Sequence, residues 1–368
     1  MRTVGVEEEL LLVSADTGRP VSVAGEVLRR VQDAGEGGHI GGALDHEFKQ
    51  QQVETASAPH RSMMDLRDDV RSWRTTAIAS ARAANALVIA SGTSPLPAES
   101  ELMPDARYAQ IADLLAQTAR DQLACACHVH VAVESDEEGV GVLDRIREWL
   151  HVLVALSANS PFWQGLDTGY ASYRSEVIRR WPTAGVQEVF GTPENYHTLV
   201  AAMKASGVML DEGMVYFEAR LSHHYPTVEI RVADVCADPD DTILIAALCR
   251  GLVDTAAAEW RAGTAVRPVP AAVIRLAAWH AGRFGISGDL LDSATMTPMP
   301  ARTVVAALVD HVRNALRENG DEEFVDEQIR RILDRGNGAD RQRAVLLRTG
   351  TLAEVVADLA RATAGLPG

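Results

Sequence analysis

The sequence predicts an α+β fold in which one sheet is backed by helices and the C-terminal third is helical. Runs with the alternation or β-branched content of strands occur near residues 3–13, 45–55, 124–134 and 215–233. Alanine, leucine and charged residues, which are typical of helices, dominate residues 62–90, 141–158, 240–262, 270–283 and 301–363. No long linker or repeat divides the chain, so we expect a single domain over residues 1–368 with a helical extension over about 265–368.

Composition excludes several classes of partner. The chain has 35 basic and 51 acidic residues, and its net charge of −16 repels nucleic acids and anionic membrane surfaces. The first ten residues, MRTVGVEEEL, lack the apolar core of a signal peptide, and no later run of about 18 apolar residues follows. We therefore expect a cytoplasmic protein with reduced cysteines that binds neither nucleic acid nor membrane.

The first predicted strand, TVGVEEEL, places two carboxylates on one face. Because alternate side chains of a strand point to opposite faces, Glu7 and Glu9 lie together on the side of Gly5. Glu8 falls on the other face, among valine and leucine side chains, and the sequence offers no account of it. The strand therefore predicts an acidic face with room for a ligand.

The second strand region supplies two further acids. HEFKQQQVETASAP contains Glu47 and Glu54, whose seven-residue separation places them on opposite faces of a regular strand. A bulge or a turn is needed to bring both to one side. The helix that follows begins after Ser62, with Asp65 three residues on, and the segment SGTSPLP ends it.

The third predicted strand contains CACHVHVAVES, which has the composition of a zinc site. Alternation places His128 and His130 on one face and Cys125 and Cys127 on the other. A zinc site needs its four ligands to converge on one ion, which a regular strand cannot provide. The cysteine face is explained as core, and the histidine face is either a solvated surface or part of a site.

The fourth strand, TVEIRVAD, presents Glu229 and Arg231 together on one face. If the four strands share a sheet, its polar face collects glutamates, a histidine pair and an arginine. Clustered carboxylates repel one another unless cations compensate them. Oxygen ligands with an imidazole suit Mg²⁺ or Mn²⁺, which commonly bridge the phosphates of a nucleotide.

Two polar segments could supply further contacts. Residues 157–197 mix turn-forming residues with aromatic residues and Arg174, which suits either a substrate lip that binds an anion or an ordinary surface connection. GNGADRQR places Arg341 and Arg343 at a helix start, where they are either anion ligands or solvated arginines.

Together these segments show a family resemblance. Six motifs resemble, in content and order, those of the carboxylate–amine ligases of the glutamate–cysteine ligase type 2 family, the YbdK-like group: GVEEEL, CHVHV, NSPFWQGLDTGYASYR, WPTAG, TVEIRVAD and GADRQR. They extend from residue 5 to about residue 343. The resemblance implies a glutamine synthetase-like catalytic fold, in which a curved, mainly antiparallel sheet forms the cleft for ATP and divalent metal.

The resemblance also implies roles for individual residues. It assigns metal binding to Glu7, Glu9, Glu47, Glu54, His128 and Glu229. Arg231, which shares a face with the catalytic Glu229, matches the arginine that stabilises the transferred phosphoryl group. Nucleotide or substrate contacts are implied for His130, Arg174, Arg220 and Arg341.

The implied activity joins a carboxylate to an amine. ATP phosphorylates an amino-acid carboxylate, and an amine captures the acyl phosphate, with Mg²⁺ or Mn²⁺ neutralising the phosphates. Glutamate–cysteine ligation at low efficiency is one form of this activity, although VYFEARLSHHYP keeps only Arg220 of the family's usual Trp-Asp-x-Arg-Pro segment. A guanidino phosphotransferase and a non-catalytic binder of nucleotide and metal stay open as alternatives. A homo-oligomer is also expected, but no stretch identifies an interface.

Overall fold

The computed structural model describes residues 1–33, 38–39 and 42–366 of the chain. Its strands are β1 Val4–Ser14, β2 Gly38–His39, β3 Gly42–His46, β4 Gln52–Ala56, β5 Ala86–Ile89, β6 Ala126–Ala132, β7 Phe162–Trp163, β8 Leu166–Asp167, β9 Ala219–Leu221, β10 Thr227–Asp234, β11 Asp289–Leu291 and β12 Pro298–Pro300. Its α-helices are α1 Ala24–Asp33, α2 Met63–Arg82, α3 Ala106–Leu115, α4 Gln117–Asp121, α5 Asp136–Ile146, α6 Leu150–Ser157, α7 Arg174–Ile178, α8 Pro193–Ala205, α9 Pro239–Arg261, α10 Ala271–Phe284, α11 Ala301–Asn319, α12 Glu322–Arg335, α13 Gly338–Thr349 and α14 Leu352–Thr363.

One large sheet is built around β1. The strand order is β2-β3-β4-β1-β6-β10-β9, and β5 pairs with the C-terminal part of β1. Each pairing found between these strands in the described parts of the chain is antiparallel. The predicted α+β class with a mainly antiparallel sheet is therefore confirmed.

Helices cover the apolar side of this sheet. The long helix α9 packs against β1, β6 and β10, while α2 packs against β1, β4 and β5. Helix α9 is buried over most of its length, and its buried residues are mainly apolar or small but include Asp240, Asp241 and Arg250. In the helical C-terminal part, α11 and α12 pack on α9 and α14 packs on β5. The division of the chain into domains stays a prediction.

Several predicted boundaries were wrong. The helix expected over 62–90 starts as predicted, because the Ser62 hydroxyl accepts a hydrogen bond from the Asp65 amide, but it ends at Arg82. Residues 86–89 instead form β5, where pairing with β1 outweighs the helical propensity of the alanine-rich segment. The segment 301–363, for which the composition predicts helix, consists of four helices, α11 to α14.

Turns also divide two of the predicted strand regions. The region 45–55 contains the end of β3 and nearly all of β4, which pair antiparallel across a connection at residues 47–51. This is the turn that the positions of Glu47 and Glu54 required. The region 215–233 is the hairpin of β9 and β10. Across the described residues, no helix combines the length and apolar composition needed to cross a bilayer.

Glu8, the acid on the apolar face of β1, is explained by a buried ion pair. Its carboxylate binds the Arg74 guanidinium through two hydrogen bonds, Nε to Oε2 at 2.7 Å and Nη2 to Oε1 at 2.6 Å. The Thr242 hydroxyl donates a third hydrogen bond, at 2.7 Å. The two charged side chains are 0% and 2% exposed, so β1 is joined to α2 and α9 inside the core.

Candidate active site

The polar face of the sheet opens into a cleft of about 290 Å³. The cleft is lined by all six residues for which metal binding was predicted: Glu7, Glu9, Glu47, Glu54, His128 and Glu229. Four of the predicted catalytic and contact residues line it as well: His130, Arg174, Arg220 and Arg231. The structure thus brings together residues that are more than two hundred positions apart in the chain.

Strand register produces this convergence. Glu7 of β1 lies opposite His128 of β6, and Glu9 lies opposite Glu54 of β4. On the other side of β6, where it pairs with β10, His130 lies opposite Glu229. Because directly opposed residues of antiparallel strands place their side chains about 4.5–5.5 Å apart, the pairings set acids and imidazoles beside one another.

The two cysteines of the third strand face away from this cleft. Cys125 and Cys127 are 1% and 0% exposed and belong to the hydrophobic core. Burial raises the pKa of both thiols well above the usual value, which keeps them protonated. A four-ligand site of cysteines and histidines on this strand is therefore excluded by the direction of the side chains.

Acids and histidines in the cleft form three neighbouring groups that could each hold a cation. In each group the potential ligand atoms lie within 4.8 Å of one another: Glu7 with Glu54 and His128, Glu7 with His130 and Glu229, and Glu9 with Glu47 and Glu54. Glu7 and Glu54 each belong to two groups, so the groups share ligands. Each group would offer a divalent cation carboxylate oxygens, and two of the groups would add an imidazole nitrogen.

The chemistry of these donors fits hard divalent cations. The Nε2 atom of His130 is buried and accepts or donates no hydrogen bond among the described residues, although Glu7 Oε1 lies 3.4 Å away. Burial and the charge of Glu9 together raise the pKa of the Glu47 carboxyl to about 8. Burial and the charges of Glu7, Glu47 and Glu9 also raise the pKa of Glu54. A bound cation would relieve this repulsion.

A pair of arginines neutralises Glu229 at the β9–β10 edge of the cleft. Arg220 binds its carboxylate from Nε at 2.7 Å, and Arg231 binds Oε1 through Nη1. Burial opposes ionisation of Glu229, but these two arginines outweigh it and hold the pKa of the carboxyl below its usual value. Arg231 Nη1 also lies 3.5 Å from His128 Nδ1, which places a fixed positive charge beside the cation-binding groups.

Arg231 lies at an irregularity of β10. The register between β10 and β6 shifts between Ile230 and Ala233, and the Arg231 amide donates to the Glu218 carbonyl at 2.9 Å. Such a bulge changes the direction of a side chain without ending the strand. The sequence alternation predicts the face of Arg231, whereas the bulge was not predicted.

A buried polar network holds Arg174, which is the predicted nucleotide or substrate contact from the segment 157–197. Its guanidinium donates to the carbonyls of Val232 at 3.2 Å and Arg231 at 3.1 Å. Asp234, 3.9 Å from the guanidinium, accepts hydrogen bonds from the Ser160 and Ser172 hydroxyls at 2.7 and 2.8 Å. The NSPFWQG motif therefore supports the wall of the cleft from behind.

Arg341 is the one predicted contact that the structure does not bring to the cleft. Its guanidinium binds Asp358 of α14, with Nε 2.6 Å from Oδ2. The neighbouring Gln342 donates to the carbonyl of Asn159 at 3.0 Å and to its side-chain oxygen at 2.8 Å. In this structure the GADRQR motif packs the C-terminal helices against the NSPFWQG segment.

Residues for which the sequence predicts no role complete the cleft wall. Among them are Gln52, Arg107, Tyr108, Trp181 and Tyr216. Trp181 stacks edge-on with Tyr216, with ring centroids 5.0 Å apart, and burial raises the pKa of Tyr216 to about 12. Only Trp181 lies in the aromatic loop that the sequence singles out. Gln52 and Tyr216 lie in the segments HEFKQQQVETASAP and VYFEARLSHHYP, in which nothing distinguishes them as site residues, and Arg107 and Tyr108 lie in a segment with no motif.

Comparison with known proteins identifies the family. The family model described as glutamate–cysteine ligase family 2 matches residues 3–358. A protein of Streptomyces avermitilis, provisionally named glutamate–cysteine ligase 2-1, is 51% identical over 365 residues, which span 99% of this chain and 100% of the relative. A provisionally named glutamate–cysteine ligase 2 of Streptomyces coelicolor is 49% identical over 99% of each chain.

The fold is shared with a more distant ligase. The crystal structure of glutamate–cysteine ligase from Francisella tularensis in complex with AMP superposes with a TM-score of 0.71 at 14% identity, over 99% of this chain and 88% of that chain. This likeness confirms the ligase fold that the motifs predict. With motifs, family model and relatives in agreement over nearly its whole length, the chain belongs to glutamate–cysteine ligase family 2, a family of carbon–nitrogen bond-forming ligases.

Proposed function

We propose that this ligase is ATP-dependent, that it forms an amide through an acyl phosphate, and that residues 1–368 act as a single catalytic domain. The observation that supports the mechanism best is the row of three cation-binding groups beside Arg231. Phosphoryl transfer from ATP needs charge neutralisation and alignment more than a protein nucleophile. The cleft offers both, and the AMP held by the Francisella tularensis relative supports a nucleotide as the ligand.

In the proposed reaction, a carboxylate oxygen of the first substrate attacks the γ-phosphorus of ATP, and ADP leaves. The amine then attacks the carbonyl carbon of the acyl phosphate, and inorganic phosphate leaves. Divalent cations, when bound by Glu7, Glu9, Glu47, Glu54, His128, His130 and Glu229, neutralise phosphate charge and orient the nucleotide. Mg²⁺ and Mn²⁺ suit this carboxylate-rich donor set.

Arg231 provides the directed donor in this proposal. Glu229, which Arg220 also binds, accepts a hydrogen bond from the Arg231 guanidinium, so the charge of Arg231 is oriented before substrate binds. A preorganised donor stabilises charge that develops during phosphoryl transfer without reorganising at the moment of reaction. His130, Arg174 and Arg220 line the same cleft and are proposed as supporting contacts for nucleotide or substrate.

Amino acids are the substrates that the comparisons favour. The names of the relatives point to glutamate and cysteine, which we propose as the first pair to test. The chain's own EARLSHHYP segment supplies Ser222, His224 and Tyr225 to the cleft wall, where the family resemblance includes a different segment. We therefore propose testing other amino-acid carboxylates and other amines beside that pair.

The test is a panel of amino acids and amines incubated with ATP and MgCl₂, with ADP measured by a coupled assay and products by mass spectrometry. The proposal expects ADP, phosphate and an amide in equal amounts. The Arg231→Ala variant should lose this activity, whereas Arg302→Ala, which removes an exposed arginine paired with Asp334, should keep it. Phosphate without amide, or a phosphorylated guanidine, would contradict the ligase mechanism. Silence across a broad panel would favour a binding relative.

A further inference from the structure

One part of the cleft has aromatic and aliphatic walls. Six of the side chains that line the cleft there come from four separate segments of the chain: Phe48, Tyr108, Ile111, Ile178, Trp181 and Tyr216. We call this part of the cleft the aromatic box. It differs from the acidic part of the cleft, where the three cation-binding groups lie.

The rings of the aromatic box contact one another in sequence. Phe48 lies edge-on to Tyr108 and to Trp181, with ring centroids 5.3 and 5.9 Å apart, and Trp181 lies edge-on to Tyr216 at 5.0 Å. Edge-to-face packing at these distances is favourable and fixes the orientation of each ring. Phe48 and Trp181 are buried, whereas Tyr108 and Tyr216 are half-buried and present ring surface to the cleft.

The six side chains of the box are uncharged. The Trp181 indole N–H donates to the Gln122 side-chain oxygen at 3.1 Å, and the Tyr108 hydroxyl lies 3.5 Å from His46 Nδ1. Burial raises the pKa of Tyr216 to about 12, which keeps its hydroxyl neutral. Apolar and aromatic walls with few polar atoms are typical of pockets that bind the apolar part of a small ligand.

An ion pair connects two of the segments that form the box. Arg107 of α3 binds Asp211 of the loop before β9, with Nε 2.5 Å from Oδ2 and Nη2 2.8 Å from Oδ1. Gly213 permits this contact, because a Cβ atom there would lie 2.9 Å from Arg107 Nη2. The neighbouring Glu212 pairs with His223 instead, at 3.0 Å. The ion pair therefore holds the two tyrosine-bearing segments of the box together.

The box borders the groups proposed for phosphoryl transfer. Phe48 directly follows Glu47, which belongs to one of the cation-binding groups. Burial and then the charge of Glu47 raise the pKa of Tyr108, so this ring lies near that carboxyl. The charge of Arg231 opposes the rise in the pKa of Tyr216 that burial causes. A ligand in the box is thus adjacent to both the cation-binding groups and the phosphoryl-binding arginine.

The two substrates of a carboxylate–amine ligase differ in how well they suit this box. Glutamate, the acid proposed above, carries a second carboxylate and an ammonium group, and apolar walls disfavour the burial of such charges. An amine substrate needs one reactive nitrogen, and the rest of the molecule can be apolar. The thiol of cysteine is too small to contact four rings at once. The walls therefore favour a larger apolar group on the amine.

We propose that the aromatic box binds the side group of the amine substrate, and that this substrate is an amino acid or primary amine with an aromatic or branched apolar side group. Its nitrogen lies at the acyl phosphate, and its side group extends into the box. The box selects the amine and takes no part in phosphoryl transfer. This proposal rests on the proposed ligase function, because it concerns the second substrate of that reaction.

The first experiment measures binding without turnover. Saturation-transfer difference NMR, with a non-hydrolysable ATP analogue and MgCl₂ present, compares 2-phenylethylamine with ethylamine and phenylalanine with alanine. The members of each pair differ only in a phenyl ring. We expect the ligand with the ring to bind about tenfold or more tightly, as burial of an aromatic group predicts.

Three variants connect this preference to the box. Tyr108→Ala should weaken binding of the ring-bearing ligands by about threefold to tenfold, because one aromatic contact is lost. Tyr108→Phe keeps the ring and should keep the preference. Tyr170→Ala is the matched control, because Tyr170 is a half-buried tyrosine that contacts Trp279 of α10 outside the cleft. The control should bind both pairs as the wild-type chain does.

The second experiment measures selectivity during turnover. The acid that releases most ADP in the panel is combined with ATP and either 2-phenylethylamine or ethylamine. The kcat/KM for 2-phenylethylamine should exceed that for ethylamine by about tenfold or more. Tyr108→Ala should lower this ratio by about threefold to tenfold, while the affinity for the ATP analogue stays within about twofold.

The outcomes distinguish this proposal from the ligase function itself. A preference for the ring that is lost in Tyr108→Ala and kept in Tyr108→Phe supports the box, even if the wild-type chain releases no ADP and the ligase function fails. An active ligase with no preference for the ring, or a Tyr108→Ala variant that keeps the preference, would overturn the box while the ligase function stands. Weaker binding of the ATP analogue in a Tyr108→Ala variant that is folded by circular dichroism would place the nucleotide base in the box and would also overturn the proposal.

Discussion

Replacing Glu8 by leucine should strongly destabilise the chain, although Glu8 lies outside the cleft. The substitution leaves the Arg74 guanidinium charged in a site where the side chain is 2% exposed. Removing one partner of a buried ion pair typically costs about 3–5 kcal/mol of unfolding free energy. The carbonyls of Cys236 and Ala237, at 2.8 and 3.0 Å, still accept from Arg74, so we expect the lower end, about 3 kcal/mol.

The double variant Glu8→Leu/Arg74→Met tests whether this cost comes from the unpaired charge. It removes both charges and leaves the two carbonyls and the Thr242 hydroxyl with fewer partners, so we expect a cost of only about 1–2 kcal/mol. Urea unfolding followed by circular dichroism gives the free energies of wild type, both single variants and the double variant. If the loss of unfolding free energy in the double variant equals the sum of the losses in the two single variants, Glu8 and Arg74 are not energetically coupled. The cost of Glu8→Leu would then not come from an unpaired charge.

Three further predictions concern the cleft and the core behind it. Arg231→Ala should lower kcat by roughly 100-fold while the affinity for a non-hydrolysable ATP analogue changes by less than about threefold, as measured by steady-state kinetics and calorimetry; normal turnover would remove Arg231 from the mechanism. Glu54→Gln, which alters two of the three cation-binding groups, should reduce the number of Mn²⁺ ions bound in electron paramagnetic resonance titrations, whereas Glu212→Gln should not; an unchanged number would argue against the grouping. Cys125→Ser and Cys127→Ala should each cost about 1–2 kcal/mol of stability and leave turnover within about twofold, and loss of bound metal in either variant would contradict their placement in the core.

The alternation of side chains in the sequence was sufficient to predict the two faces of the central strands. Glu7 and Glu9 share the cleft with His128 and Glu229, and Cys127 lies in the core, as the period of two requires. Such local periodicity follows from strand geometry alone, so it needs no knowledge of neighbouring strands. The motifs likewise sufficed to predict the family and its fold.

The local sequence does not predict where a helix or strand ends when pairing with a distant strand determines that boundary. The segment at residues 86–89 has helical composition, but its pairing with β1 makes it a strand. Glu47 reaches the cleft because β3 and β4 form a hairpin, which the sequence required only as an unspecified turn or bulge. In both cases pairing with another strand outweighs the intrinsic preference of a few residues.

The partners of individual charges were decided by tertiary structure alone. Glu8 finds Arg74 on α2, and Arg341 binds Asp358 rather than reaching the cleft. The sequence therefore determined the family, the sheet class and the faces of the main strands, because these depend on local periodicity and motif order. The structure decided which charges meet, because the energy of a charge depends on its burial and on neighbours that folding brings from far along the chain.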